Sequence, residues 1–410
     1  MSENIKKLTK QYNNYIYPKP CDDIDLEWIT KNRYQICDPN YHWHKLWPEF
    51  PYNRKKMNIL VAGCGSDQAA ILAKCNPIHN FVGVDLSETS LNHHKKLIKK
   101  HGIKNLKVVC DDFRNQNFDF KFDYIISSGV IHHLDDPNSA LKYFNDNLDD
   151  KGVLYLMVYG NQQSEGIKGL KNVFKKLEFS QNEESIDNIK KIVNKLNNNH
   201  PSKIFSNLYT DISYDAGIVD TFLHPKEKFY SLNELIKDLS ENNFIIKNFV
   251  DGKIAAVTKY FFDNSKLLKK FKDLPIEDQL DIAQILNWSD RKVDVICTKS
   301  HNKKYSKIYN KLNLDDIYTY SFQNMQYQYD KNSIKIKNIK DATNLKFDFK
   351  NEKIDWKKIL SGQEKLKDAV SSFSEIEKKN FYSIIEFLID NYFLDYSFNK
   401  VEDYKKYYNI

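Results

Sequence analysis

Glycine and proline are sparse in this chain, 12 and 10 among 410 residues, which excludes a collagen-like or low-complexity polypeptide. Cysteine is scarcer still. The six thiols (Cys21, Cys37, Cys64, Cys75, Cys110, Cys297) form no C-x-x-C pair and no histidine spacing of the zinc-site kind, so reduced, mostly buried thiols are expected and no metal. No stretch reaches the roughly 18 apolar residues of a membrane span, and the opening "MSENIKKLTKQYNNY" has no apolar h-region. A cytoplasmic protein is the expectation. Charge of one sign is also lacking: the formal net charge of +7 is what remains of 62 basic and 55 acidic side chains spread along the chain. Without a basic stripe or tail, nucleic-acid binding is unsupported.

What the chain does have is buriable surface, with 41% hydrophobic residues, 26 Tyr and 25 Phe. That is too much for a disordered chain, and the length predicts one large domain with an appendage or two domains. From residue 57 strands and helices alternate, the pattern of a parallel sheet covered on both faces. Strands are read at "NILVA", "NFVGVD", "NLKVVCDDF", "FDYIISS" and "GVLYLMVYG", with helices at about 66–74, 87–101 and "PNSALKYFNDNL". Their nearly continuous apolar character suits burial on both sides. The alternation stops at Gly160, and 161–225 reads as a helical insertion over the sheet. It resumes with "SLNELIKDLSENN" and "FIIKNFV". The seventh strand is assigned to "KVDVICTK" in preference to "KIAAVTKYF", because "PIEDQLDIAQILNW" between them has helical periodicity. Beyond 301 come short strand-like pieces and two helical stretches, "WKKILSGQEKLKDAVSSF" and "EIEKKNFYSIIEFLIDNYFL". The expected division is an N-terminal lid or cap over 1–56, a domain over 57–300 with its insertion at about 161–225, and a small C-terminal α+β module over 301–410.

"ILVAGCGSDQ" runs from a strand through two glycines into a helix. Such a turn gathers unpaired backbone N–H groups and the positive end of a helix dipole, and the missing side chains admit a ligand close to the backbone. Asp85, closing the second strand, lies beside that turn in this topology and can accept both hydroxyls of a ribose, so the ligand is read as a nucleoside. Dinucleotide and S-adenosyl-L-methionine (SAM) sites share this arrangement. Two features favour the second. Asp67 and Gln68 follow the glycine pair where a third glycine would serve a pyrophosphate, and an acid there repels phosphate but tolerates a cation. "CDDF" then offers Asp111 and Asp112 as acceptors for an adenine amino group, with Phe113 to pack on its ring.

Together with "SSGVIHHLDDP" after the fourth strand, these motifs resemble the class I SAM-dependent methyltransferases over about 57–160. The resemblance implies a Rossmann-like sheet with helices on both faces and SAM as cofactor. It places Ala62, Gly63, Cys64, Gly65, Asp67 and Gln68 at the methionine part, Asp85 and Leu86 at the ribose, Asp111, Asp112 and Phe113 at the adenine, and Ser127, Ser128 and Gly129 with His132 and His133 at the methyl-transfer face. One residue departs from the pattern: the acid usual two places before the first glycine is Val61 here, and Asp67 is the candidate substitute for holding the amino group. His132 or His133 is the candidate proton acceptor. On the substrate side the candidates are Tyr15, Tyr17 and His224, within a lead-in also rich in Tyr12, Trp28, Tyr41, Trp43 and Trp47. Aromatic faces there can accommodate a cation or exclude water.

The lead-in "YNNYIYPKP" and the stretch "DTFLHPKEKFYSLNEL" are similar to a bacterial subgroup, some members of which follow tetratricopeptide repeats; no such repeat occurs here. Protein lysine methyltransferases with a C-terminal regulatory domain share the lead-in. The expected function is methyl transfer from SAM to a small molecule. Three alternatives stay open: a protein acceptor recognised through the C-terminal module, a SAM-binding protein without turnover, and, least favoured, a nicotinamide dehydrogenase. Nothing in the sequence fixes the oligomeric state.

Overall fold

The computed structural model describes residues 3–26, 34–51, 55–208, 210–250, 260–261, 264–287, 292–306, 312–321, 325–329, 333–338, 344–348, 354–391 and 393–401. Trp28 and most of "KIAAVTKYF" lie outside them.

Seven strands form the central sheet: β1 Asn58–Ala62, β2 Asn80–Asp85, β3 Leu106–Cys110, β4 Phe122–Ser128, β5 Leu148–Tyr159, β6 Phe244–Phe249 and β7 Lys292–Lys299, in the order β3-β2-β1-β4-β5-β7-β6. β1 sits between β2 and β4 in parallel register, Ile59 opposite both Phe81 and Tyr124. Its four apolar residues are fully buried, as a central strand covered on both faces requires. β3 is an edge strand and only partly buried. β7 takes the seventh place, "KVDVICTK", and runs antiparallel to β5 with Leu156 opposite Val295. Deep between them the Tyr155 hydroxyl donates to Asp294 at 2.5 Å.

The chain divides into two compact units, one of Met1–Asp38, Lys55–Ile245 and Trp288–Ser300, the other of Pro39–Arg54, Ile246–Asn287 and His301–Ile410. In the first, α1 (Glu3–Asn14) precedes the sheet, and α2 (Gln68–Cys75), α3 (Glu88–His101) and α4 (Pro137–Asn147) connect its strands. Their starts are chemically fixed. Ser87 Oγ accepts the Ser90 N–H at 3.1 Å, and Asp136 caps α4 with Pro137 in its first turn. The segment read as an insertion contains α5 (Glu165–Lys176), α6 (Glu183–Lys195), α7 (Pro201–Leu208) and α8 (Asp215–Phe222). It has its own core of Ile167, Leu170, Phe174, Ile189, Val219 and Phe222, each large side chain contributing about 1.5–3 kcal/mol by leaving water. α9 (Leu232–Glu241) starts on a capping box between Ser231 and Glu234.

In the second unit α10 (Ser265–Lys272) and α11 (Ile276–Leu286) are followed by two small sheets. One has the order β11-β10-β9, from Asn344–Asp348, Ser333–Asn338 and Met325–Tyr329; the other has β12-β8-β13, from Ser361–Lys365, Tyr318–Ser321 and Leu394–Ser397. The stretch "WKKILSGQEKLKDAVSSF" is not one helix. It is α12 (Trp356–Leu360), the strand β12 and α13 (Leu366–Ala369), because Gly362 adopts φ +67° and pairing with β8 captures the residues after Leu360. α14 (Glu375–Asp390) opens on a second capping box, Ser374 with Glu377. Two buried ion pairs tie this unit's early segment to its later parts, Lys45 with Asp395 at 3.1 Å and Lys247 with Glu49 at 2.7 Å.

Candidate functional site

At the C-terminal ends of β1, β2, β3, β4 and β5, within the first unit, lies a cavity of about 820 Å³. The parallel arrangement puts the loops after these strands on one side, the usual place for a ligand in an open α/β sheet. Gly63 (φ +71°) and Gly65 (φ +56°) make the turn out of β1, and both are left-handed. A Cβ on Gly63 would stand 2.4 Å from a Val130 methyl, and one on Gly65 would stand 3.1 Å from Pro18 Cδ. Glycine is thus required by conformation and by space. The Gly63 and Cys64 N–H groups donate to the Val84 carbonyl at 2.8 and 3.1 Å, which locks the turn against β2.

Asp85 closes β2 with both carboxylate oxygens engaged, Oδ2 accepting from Gly65 N at 2.8 Å and Oδ1 from Ser87 N at 2.9 Å. Each oxygen retains a second lone pair for a ligand hydroxyl. Burial raises this carboxyl to about 6, against the opposing effect of those N–H donors. Cys64 beside it is buried, and burial followed by the Asp85 charge pushes its thiol well above the ordinary value, so it stays protonated and inert.

At the β3 end, Asp111 accepts from its own neighbour Asp112 N (2.7 Å), from Asn115 Nδ2 (2.9 Å) and from Gln116 Nε2 (2.7 Å). Asp112 grips Arg114 through Nε at 3.0 Å and Nη2 at 2.6 Å, and Arg114 reaches Ser139 at 2.8 Å. Burial opposes ionisation of Asp112, but its bonds to Arg114 outweigh it and hold the carboxyl below its usual range. Phe113 stacks on Phe144 with centroids 5.2 Å apart.

The structure brings to this one cavity Gly63, Cys64, Gly65, Gln68, Asp85, Leu86, Asp111, Asp112, Phe113, Ser128, Gly129, His133 and Tyr17. Ala62 is buried at the end of β1, behind the turn. Asp67 lies beneath the wall: its oxygens accept from Cys21 N at 3.0 Å and the Tyr34 hydroxyl at 2.8 Å. Tyr15 points into the insertion, its hydroxyl donating to the Gln181 carbonyl. His132 is fully buried against Tyr159, ring centroids 4.4 Å apart. His133 faces the cavity with His224 stacked on it at 3.8 Å and 29°.

Residues not assigned to the site from the sequence complete the wall. α1 supplies Leu8 and Tyr12, and the insertion supplies Asp211, Ser213, Tyr214 and Asp220. α1 is held by Ser87 Oγ donating to the Tyr12 carbonyl at 3.0 Å, by Asn4 Nδ2 donating to the His133 carbonyl at 3.1 Å, and by Gln181 bonded to Gln11 at 2.7 Å. Tyr17 stacks with Tyr214 at 6.5 Å. The spacing of Asp220 and His224, four residues apart across the end of α8, was the signal available for the insertion's side of the site. His133, Asp220 and His224 each have a ligand atom within 4.8 Å of the others. Both Nδ1 atoms are engaged with Lys226, that of His133 with its carbonyl at 3.0 Å and that of His224 with its N–H at 3.2 Å. The lining carries five carboxylates (Asp85, Asp111, Asp112, Asp211, Asp220) against Lys19 and Lys292, a field that favours a cation.

Residues 53–274 match the family described as methyltransferase domain, and the chain belongs to that family. Among solved structures, PKMT2 from Rickettsia typhi matches with a TM-score of 0.60 at 18% identity, covering 89% of this chain and 76% of that one. The same protein in complex with AdoHcy gives 0.59 over the same shares. These likenesses establish the fold, a Rossmann-like methyltransferase sheet with added small antiparallel sheets. An uncharacterized protein of Synechococcus sp. is 22% identical over 270 residues, 61% of this chain; the chain spans 63% of that relative's length. Among the described residues no helix is long and apolar enough to cross a membrane.

Proposed function

We propose that the chain is a SAM-dependent methyltransferase. One observation carries the reading: the Gly63–Gly65 turn, Asp85, the Asp111–Phe113 corner and Ser128–Gly129 line one continuous acidic cavity. Its groups suit, respectively, a methionine chain, a ribose, an adenine and the sulfonium that joins the first two. When bound, SAM supplies an already activated methyl group for in-line displacement. The chain's own work is to hold donor and acceptor in line and to exclude water. Asp85 accepts the ribose hydroxyls, Asp111 and Asp112 flank the base, and the acidic lining balances the positive donor. With Val61 buried in β1 and Asp67 bonded beneath the wall, the donor's amino group is assigned to the Gly63–Gly65 edge of the cavity. AdoHcy in the complex of the Rickettsia typhi protein supports a donor of this class.

The acceptor is proposed to be a small molecule entering beside Tyr17 and Tyr214, since the cavity volume lies within the range of small-molecule sites. A protein acceptor is the second reading, with 301–410 as its recognition module. It is favoured by the fold likeness to PKMT2 extending over 89% of the chain, past the end of the family match at 274. Calorimetric titration with S-adenosylhomocysteine (SAH) and with NADH tests the donor: SAH should bind and NADH should not, and the reverse refutes the reading. Radiolabelled SAM incubated with fractionated extract separates the acceptor classes, label migrating with protein or with small molecules.

A further inference from the structure

The strand order β3-β2-β1-β4-β5 sets a direction across the cavity floor, from Asp111 after β3 to Tyr159 at the end of β5. Four strand spacings separate the ends, about 19 Å. At the β5 end the insertion delivers Asp220, 2% exposed and lining the cavity. Its Oδ1 accepts the Tyr12 hydroxyl at 3.1 Å, and the same hydroxyl oxygen lies 3.3 Å from His224 Nε2. His224 Nδ1 accepts the Lys226 N–H at 3.2 Å, which leaves the neutral ring's proton on Nε2. The polarity therefore runs one way: His224 Nε2–H donates to Tyr12 Oη, whose O–H donates to Asp220. His133 cannot offer the same service through Nδ1, which donates to the Lys226 carbonyl at 3.0 Å.

Two donors in series are thus aimed at one buried carboxylate. From this geometry, and resting on the SAM reading above, we infer that Asp220 is the carboxylate facing the transferring methyl group and receiving the proton that the acceptor releases. In that step the bond between sulfur and the methyl carbon breaks with its electron pair going to sulfur, giving a neutral thioether. A bond from the acceptor heteroatom to the methyl carbon forms, and the heteroatom's proton passes to Asp220. Tyr12 is a positioning residue: it sits on α1 and orients Asp220 through its hydroxyl.

The test needs no acceptor. Sinefungin carries an amino group on the carbon that replaces the sulfur of SAH, which puts a cation where the methyl group would be. Calorimetry should show the parent preferring sinefungin over SAH by about tenfold or more, the expected worth of a buried opposite charge. In Asp220→Asn the SAH affinity should stay within about threefold and the preference should collapse to about twofold, and Asp220→Glu should restore part of it. Tyr12→Phe should lower the preference about threefold while leaving SAH affinity intact. An unchanged preference in Asp220→Asn overturns the assignment; if that variant does not fold, an unchanged preference in Tyr12→Phe does so. Absence of SAH binding to the parent would instead sink the SAM reading itself.

Discussion

With Asp85 as the proposed ribose acceptor, donor binding should depend on pH in a way that can be worked out beforehand. Burial raises the Asp85 carboxyl to about 6. Ligand hydroxyls donate to the ionised form, so binding lowers that value. The sign follows: the ligand binds best when Asp85 is already ionised, and affinity falls as pH drops through 6. Going from pH 7.5 to pH 5, the ionised fraction falls from nearly all to about one eleventh, so SAH should bind about tenfold more weakly, about 1.4 kcal/mol. SAH suits the measurement because its amine and carboxylate keep their charges across this window, and because it lacks the sulfonium. Calorimetry in buffers of different ionisation enthalpy should also count close to one proton released per SAH bound at pH 5. In Asp85→Asn the slope should vanish, with affinity lower than the parent's by ~1.5–3 kcal/mol at pH 7.5, where a neutral amide replaces a charged acceptor, and the gap should narrow toward pH 5. A flat profile in the parent, or the same slope in Asp85→Asn, would refute the assignment of Asp85 as the ribose acceptor.

Gly63→Ala should abolish SAH binding and lower stability by about 2 kcal/mol or more, because the new methyl meets Val130 at 2.4 Å in a left-handed backbone; thermal unfolding and SAH titration on the same sample check both. In the second unit, Asp395→Asn leaves Lys45 buried without its carboxylate and should cost ~3–5 kcal/mol in urea unfolding. Arg114→Ala frees Asp112 from its clamp and should weaken SAH several-fold with little change in melting temperature, since the pair is partly exposed. His133→Ala should keep SAH affinity within about tenfold, whereas His132→Ala, emptying a buried site beside Tyr159, should chiefly lower the melting temperature.

Local rules were enough for much of this molecule. A buried parallel strand must be apolar along its length, so "NILVA" and "FDYIISS" declare themselves. A left-handed turn needs glycine, so Gly63 and Gly65 mark the ligand end of β1, and the aspartate ending β2 follows from the strand-turn-helix spacing. The caps Ser87, Asp136 and Ser231 act on N–H groups three residues away. Those interactions are short-range, and the order of residues alone specifies them.

Tertiary structure decided what depends on distance between remote segments. Asp67 stands one residue before α2, yet its oxygens go to Cys21 and Tyr34 beneath the wall. His132 and His133 are adjacent, and only packing sends one into the core and the other to the cavity. Tyr12 and Asp220 are separated by 208 positions and meet at 3.1 Å. "WKKILSGQEKLKDAV" has helical spacing, but β8 takes its middle as a strand, because backbone pairing in a sheet outweighs a weak local preference for helix. The side of the cavity built by the glycine turn and the ends of β2 and β3 is written in the sequence, since turn chemistry and strand ends make it. The facing side is assembled from α1, residues 211–220 and the end of β5, and those partners are chosen only when the chain has folded.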